Sequence, residues 1–141
     1  MPDSVVLRGR VTRGEQVSCL FTELPWVKRQ FREKLKINPY PGTFNLEIIE
    51  EDLDRLASLH RQKGIEIVPK DPRYCVGKSF RALVQGRIEA VVLLPDVSHY
   101  PASKLELVSA KNIRETLSVK DGDVVTVEVF LPARESNPAE G

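Results

Sequence analysis

Two apolar runs, Val76 to Val84 and Ile88 to Leu94, are separated only by Gln85-Gly86-Arg87. Runs of this kind with a glycine-containing turn between them read as a β-hairpin. Val124 to Phe130 alternates apolar and polar residues cleanly behind the turn Asp121-Gly122-Asp123, and reads as a half-buried strand. Val5–Val11, Gln16–Phe21, Thr43–Ile49, Ile65–Val68 and Leu105–Val108 bring the expected total to about seven or eight short strands. Strands and helices do not alternate, so a parallel α/β sheet is not expected. Leu24, Val27, Phe31 and Leu35 recur at helical spacing, with Pro25 suited to a first turn and Thr22 to a cap. Lys28, Arg29, Arg32, Glu33 and Lys36 form the opposite, solvated face. A second helix opens on Glu50-Glu51-Asp52, continues through Leu53, Leu56, Leu59 and His60, and stops before Gly64. Lys111 to Leu117 reads as one or two helical turns. The expected fold is mainly β: a small closed or nearly closed barrel with peripheral helices.

The chain has 141 residues, enough for one domain with a real core. Residues 1–131 are read as that domain and the polar stretch 132–141 as a disordered tail. With 21 basic and 20 acidic residues the net charge is +1, so a general nucleic-acid surface is not indicated. Cys19 and Cys75 lie among apolar or strand-like neighbours. Two such cysteines fit reduced, buried thiols and cannot by themselves make a zinc site. Met1-Pro2-Asp3-Ser4 shows no basic and apolar leader, and the longest apolar run, Ala90 to Pro95, is too short to cross a bilayer. A cytoplasmic protein with no membrane partner is expected.

Pro39-Tyr40-Pro41-Gly42-Thr43-Phe44-Asn45 carries the sharpest chemical hint. Two prolines and a glycine make a stiff turn into a strand. Thr43 and Asn45, two apart on an extended chain, point the same way. Their neutral oxygens suit a hard cation whose other ligands are water and phosphate oxygens. The simpler reading is a turn and an ordinary strand, and spacing alone favours it. His60, with no second histidine or carboxylate at metal spacing, reads as a helix-surface residue.

The same turn resembles the Pro-Tyr-x-Gly-Thr-Leu-Asn signature of the archaeal CTP-dependent riboflavin kinases. The helix Trp26 to Leu35, the stretch Ser98-His99-Tyr100-Pro101 with Leu105-Glu106-Leu107, the stretch Asn112 to Leu117, and Val119 to Asp123 with the final strand are similar to that family in order and spacing. The resemblance implies a cradle-loop β-barrel. It implies transfer of the γ-phosphoryl of CTP to the ribityl 5′-hydroxyl of riboflavin, giving FMN and CDP, with Mg²⁺ as cofactor. On the matching positions, Thr43 and Asn45 would hold Mg²⁺. Ser98 and Glu106 would bind the flavin, with Glu106 also the candidate catalytic group. Lys111, Asn112, Ile113 and Arg114 would hold the nucleotide. For Glu106 the alternative is a solvent-facing strand carboxylate.

The chain departs from that family at the glycine-rich phosphate loop. Arg13-Gly14-Glu15-Gln16-Val17-Ser18 keeps one glycine where the family has three. Glycines let backbone amides approach phosphate closely, whereas a β-branched Val17 tolerates a positive φ poorly. Two readings follow. Either Arg13, beside Gly14, supplies a side-chain cation in place of backbone donors and the kinase survives, or the barrel binds a flavin, nucleotide or other phosphorylated ligand without transferring phosphate. A nucleic-acid-binding module ranks third.

Overall fold

The computed structural model describes residues 4–13, 24–70, 77–96 and 100–132. Its strands are β1 (Ser4–Thr12), β2 (Phe44–Ile48), β3 (Ile65–Ile67), β4 (Gly77–Val84), β5 (Ile88–Pro95), β6 (Lys104–Val108) and β7 (Val124–Phe130). Its helices are α1 (Pro25–Leu35), α2 (Leu53–Arg61, preceded by a 3₁₀ turn at Glu50–Asp52) and α3 (Ile113–Leu117). The strands pair antiparallel in the order β3-β4-β5-β6-β2-β1-β7, and β7 also pairs with β4. Six strands therefore close into a barrel, with β3 added outside it. One edge of β4 serves both arrangements: Gly77–Ser79 takes β3, and Ala82–Val84 takes β7. The expected mainly β barrel with peripheral helices is borne out. The expected strand Gln16–Phe21, both cysteines and residues 133–141 lie outside the described residues.

Alternation builds the barrel directly. Val125, Val127 and Val129 point inward and are buried, whereas Val124, Thr126 and Phe130 face outward. Leu7 and Val11 do the same from β1, and Phe80, Val92, Leu46, Leu105 and Leu107 fill the interior from the other strands. Leu56 and Leu59 of α2 and Ile113 of α3 join this interior core. The β4–β5 connection is the expected tight hairpin. Arg87 N–H donates to the Val84 carbonyl at 3.0 Å. Both intervening residues, Gln85 and Gly86, have positive φ, as a primed turn requires.

A second apolar layer lies on the outside of the barrel. Val27, Phe31 and Leu35 of α1 pack on Ile67, Val91, Leu93 and Val108. This explains why β5 is buried along almost its whole length: its inner face meets the barrel core and its outer face meets α1. The helix starts later than the sequence indicates. Leu24 is the N-cap residue and makes no side-chain cap, while Pro25 holds the first turn as expected. Thr22 lies outside the described residues.

The acidic start Glu50–Asp52 opens the helical segment as expected, while Asp52 and Gly64 each take a role set by the fold. Asp52 does not cap α2 with its side chain. Its buried carboxylate turns to β1 and accepts from Arg8 N–H at 2.9 Å, Nε at 3.0 Å and Nη2 at 3.0 Å. Gly64 is needed for space and not as a helix stop, because α2 ends on an extended Gln62. A Cβ at Gly64 would stand 2.8 Å from the Ser79 carbonyl oxygen and 2.9 Å from Phe80 Cζ.

The Arg8–Asp52 fork ties α2 to the barrel. Hydrogen bonding from Arg8 holds the Asp52 carboxyl below its ordinary pKa. Its stabilising contribution is therefore complete above the unfolded-state value of about 4 and is lost as pH falls through the lower folded value. Thermal melting of Asp52→Asn should lie on the order of 5 °C below the parent at pH 7. The gap should close as the pH is taken below about 4. A gap independent of pH would show that the carboxylate charge is not what matters.

Candidate active site

The turn before β2 is held from both sides. Pro39 is buried, Gly42 has a φ of 91°, and the Tyr40 N–H donates to the Ser109 carbonyl at 2.7 Å. The turn delivers Thr43 as the residue before β2 and Asn45 as its second residue. Thr43 Oγ1 donates to Asn45 Oδ1 at 3.4 Å, and Asn45 Nδ2 donates to the Thr43 carbonyl at 3.1 Å and to Oγ1 at 3.2 Å. The expected same-side placement is realised. Adjacent oxygens in an octahedral Mg²⁺ shell stand about 3 Å apart, given metal–oxygen bonds of about 2.1 Å. The two side-chain oxygens need only a small closing movement to fit such a shell, and as neutral donors they suit an ion that also takes phosphate oxygens. No group of three or more His, Cys, Asp or Glu side chains able to hold a metal occurs among the described residues.

The sheet register places Glu106 beside this corner. Asn45 pairs with Thr12 of β1 on one side and Glu106 of β6 on the other, and Glu106 in turn pairs with Leu93 of β5. These four residues form one row across the outer face of the barrel. Directly opposed side chains on such a row stand about 5 Å apart at Cβ. The alternative of a solvent-facing strand carboxylate is overturned for Glu106, which is only 8% exposed. Tyr100 donates its hydroxyl to Glu106 Oε2 at 2.7 Å. Burial, and then the charge and hydrogen bond of Glu106, push the Tyr100 hydroxyl far above its ordinary pKa, so it remains a donor throughout the working pH range. The Tyr100 ring also lies 6.4 Å from the His60 ring and 5.9 Å from Lys104 Nζ. His60 is thus half-buried against Tyr100, not a free surface residue. Burial, and secondly the Lys78 charge, lower its pKa.

On the other side of Thr43 opens a cleft of about 190 Å³, lined by Tyr40 to Phe44 and by Leu107, Ser109 and Lys111 to Arg114. The fold thus brings Lys111, Asn112, Ile113 and Arg114 into one wall opposite the expected metal corner. Three of the four have a defined side-chain setting. Ile113 is buried in the core, and Asn112 Oδ1 caps α3 by accepting from Glu115 N–H at 3.2 Å. Asn112 Nδ2 reaches Tyr40 Oη across the cleft at 3.5 Å. Arg114 Nη2 donates to the Thr12 carbonyl at 3.3 Å and pairs with Asp121. Asp121 also pairs with Arg13 at 3.6 Å. Two of the expected nucleotide residues, far apart in sequence, are therefore joined through one carboxylate.

Gly14 and Ser98 lie outside the described residues. Tyr100, Ser109 and Asp121 belong to the site but were not assigned to it from sequence. Tyr100 sits inside the family-like stretch Ser98–Pro101, which was its available signal. Asp121 sits in the family-like stretch Val119–Asp123, whereas Ser109 carries no local signal, because its partner Tyr40 is distant in the chain.

A family model named CTP-dep_RFKase, described as a domain of unknown function (DUF120), matches residues 11–129. A protein of Archaeoglobus fulgidus named riboflavin kinase is 37% identical over 131 residues, covering 91% of this chain and 56% of that protein. One of Pyrobaculum arsenaticum with the same name is 33% identical, with coverage of 91% and 62%. One of Sulfurisphaera tokodaii, also named riboflavin kinase, is 34% identical over 130 residues, with coverage of 89% and 95%. The chain spans little more than half the length of the first of these relatives and nearly all of the last. With the family model matching residues 11–129 and these relatives 33–37% identical over about nine-tenths of it, this chain belongs to the CTP-dependent riboflavin kinase family.

Proposed function

We propose that this barrel transfers the γ-phosphoryl group of CTP to the ribityl 5′-hydroxyl of riboflavin, giving FMN and CDP. The observation that carries the reading is the row Asn45–Glu106, with the Lys111–Arg114 cleft opening beside Thr43. Phosphoryl transfer needs donor, acceptor and charge neutralisation held together, and little covalent chemistry from the protein. The relatives' names support riboflavin as the acceptor, and the name of the family model supports CTP as the donor.

The residues divide the work. Thr43 and Asn45 would hold Mg²⁺, which neutralises phosphate charge when bound. Lys111 and Arg114 offer cations at the nucleotide wall, and Asn112 and Tyr40 close it. Glu106 accepts a hydrogen bond from the ribityl hydroxyl and fixes its direction. Tyr100 occupies the other side of that carboxylate and positions it. Arg13, joined to Arg114 through Asp121, supplies a side-chain cation where the family's loop offers more glycine amides.

Incubating the purified chain with riboflavin, Mg²⁺ and each of CTP, ATP, GTP and UTP, with flavins separated chromatographically, should give FMN with CTP in preference to the others. Flavin binding without FMN from any nucleotide would instead establish a non-catalytic binding barrel. Asn45→Ala should lower kcat/KM roughly ten- to hundredfold and raise the Mg²⁺ concentration needed for half-maximal rate. An unchanged Mg²⁺ dependence would remove Asn45 from the metal site. Tyr100→Phe deletes one hydrogen bond to a buried carboxylate, and the loss should be roughly tenfold or more in kcat/KM for riboflavin. The KM for CTP should stay unchanged, and an equal loss on both substrates would show a merely structural role.

A further inference from the structure

A second cleft, larger than the first at about 670 Å³, lies at the C-terminal end of α1 and the β4–β5 hairpin. Lys36, Arg81, Arg87 and Lys111 line it, with Glu89 as its single carboxylate. All four cations are exposed, and among the described residues none makes an ion pair. Among the described residues Arg81 donates to the Lys34 carbonyl, at 3.5 Å. Among the described residues, four cations against one carboxylate in a single concavity are unusual for a chain of net charge +1, since like charges repel unless anions serve them. The lining also has an apolar part: Ile37, Leu83, Ile88 and Phe130, a residue 37% exposed. Cations beside an apolar and aromatic surface match a compact anion attached to a flat ring.

We propose that this cleft is a regulatory site for a phosphate monoester carrying a planar ring, the chemistry shared by nucleoside monophosphates and flavin phosphates. Arg81 and Arg87 hold the phosphate, and the ring lies toward Ile37 and Phe130. The site is coupled to the first cleft by construction. Ser109 and Lys111 line both clefts, and the loop that gives Lys36 to Asn38 to one gives Tyr40 to Thr43 to the other. The Tyr40–Ser109 hydrogen bond, at 2.7 Å, fastens these shared walls together. One Lys111 ammonium serves only one phosphate at a time, so the two ligands oppose each other. This coupling rests on the reading of the first cleft as the nucleotide site, whereas binding in the second cleft does not.

The test is an amide NMR titration of the full chain with AMP, FMN and inorganic phosphate in turn, without Mg²⁺. AMP or FMN should shift the amides of Lys36–Asn38, Arg81 and Arg87–Glu89, and inorganic phosphate should bind the same residues more weakly. The double variant Arg81→Ser, Arg87→Ser should raise the Kd at least about tenfold while its Tm stays within about 2 °C of the parent. AMP should raise the KM for CTP in the parent and not in the double variant. Shifts confined to Tyr40–Asn45 and Asn112–Arg114, or an unchanged Kd in the double variant, would overturn the proposal. So would a cleft that ignores AMP and FMN and binds a DNA oligonucleotide instead. If FMN synthesis fails altogether, the amide shifts still decide whether the second cleft binds, so the two readings fail separately.

Discussion

Closure of the sheet by β7 is the constraint on which everything else depends. β7 pairs with β1 over the seven residues Val124 to Phe130 and with β4 over Val127 to Val129. This pairing joins the two ends of the sheet, so hydrogen-bonding groups that would form open edges are satisfied internally. It also seals the interior core around Leu7, Phe80, Leu107 and Val127. The turn entering β7 is tied to the end of β1 on both strands. Val11 N–H donates to the Asp123 carbonyl and Gly122 N–H to the Val11 carbonyl, each at 2.8 Å. That tie sets Asp121 where Arg13 and Arg114 both reach it.

The chemistry sits where the barrel's regularity meets two irregular loops. Ladder register gives the row Thr12–Asn45–Glu106, and no side chain in that row has freedom to wander far from its neighbour. The loops at 36–43 and 109–114 then add the groups that register cannot supply. Their mutual fastening through Tyr40, Ser109 and Asn112 makes them one wall with two faces. A carboxylate, two neutral oxygens and a bank of cations are thus kept separate by position, not by distance along the chain. This is the arrangement that the proposed transfer of a highly charged group between two ligands would require.

Much of this was legible in the residues. The period-two pattern of Val124–Phe130 matches β7 to the residue, and the Gln85-Gly86-Arg87 turn is a hairpin as read. The spacing of Val27, Phe31 and Leu35 marked the buried face of α1. Other features were not legible, for definite reasons. The acidic stretch Glu50–Asp52 does open the helical segment, but nothing local shows that Asp52 gives its carboxylate to Arg8, a partner 44 residues away. Gly64 looked like a helix stop, and only the approach of Ser79 and Phe80 reveals its steric role. Near-zero net charge argued only against a general nucleic-acid surface and did not show that the fold gathers four cations into one cleft.

By itself the sequence determined the strands, the apolar faces and the presence of Thr43 and Asn45 on one side of a stiff turn. Those properties depend on neighbours within a few residues, where backbone geometry is the same in any fold. Only the tertiary structure decided that Asn45 faces Glu106, that Tyr100 holds that carboxylate, and that Arg13 meets Arg114 across Asp121. These contacts come from register and closure, and register is a global property: a shift of one residue in β2 or β6 would turn Asn45 or Glu106 to the opposite face of the sheet.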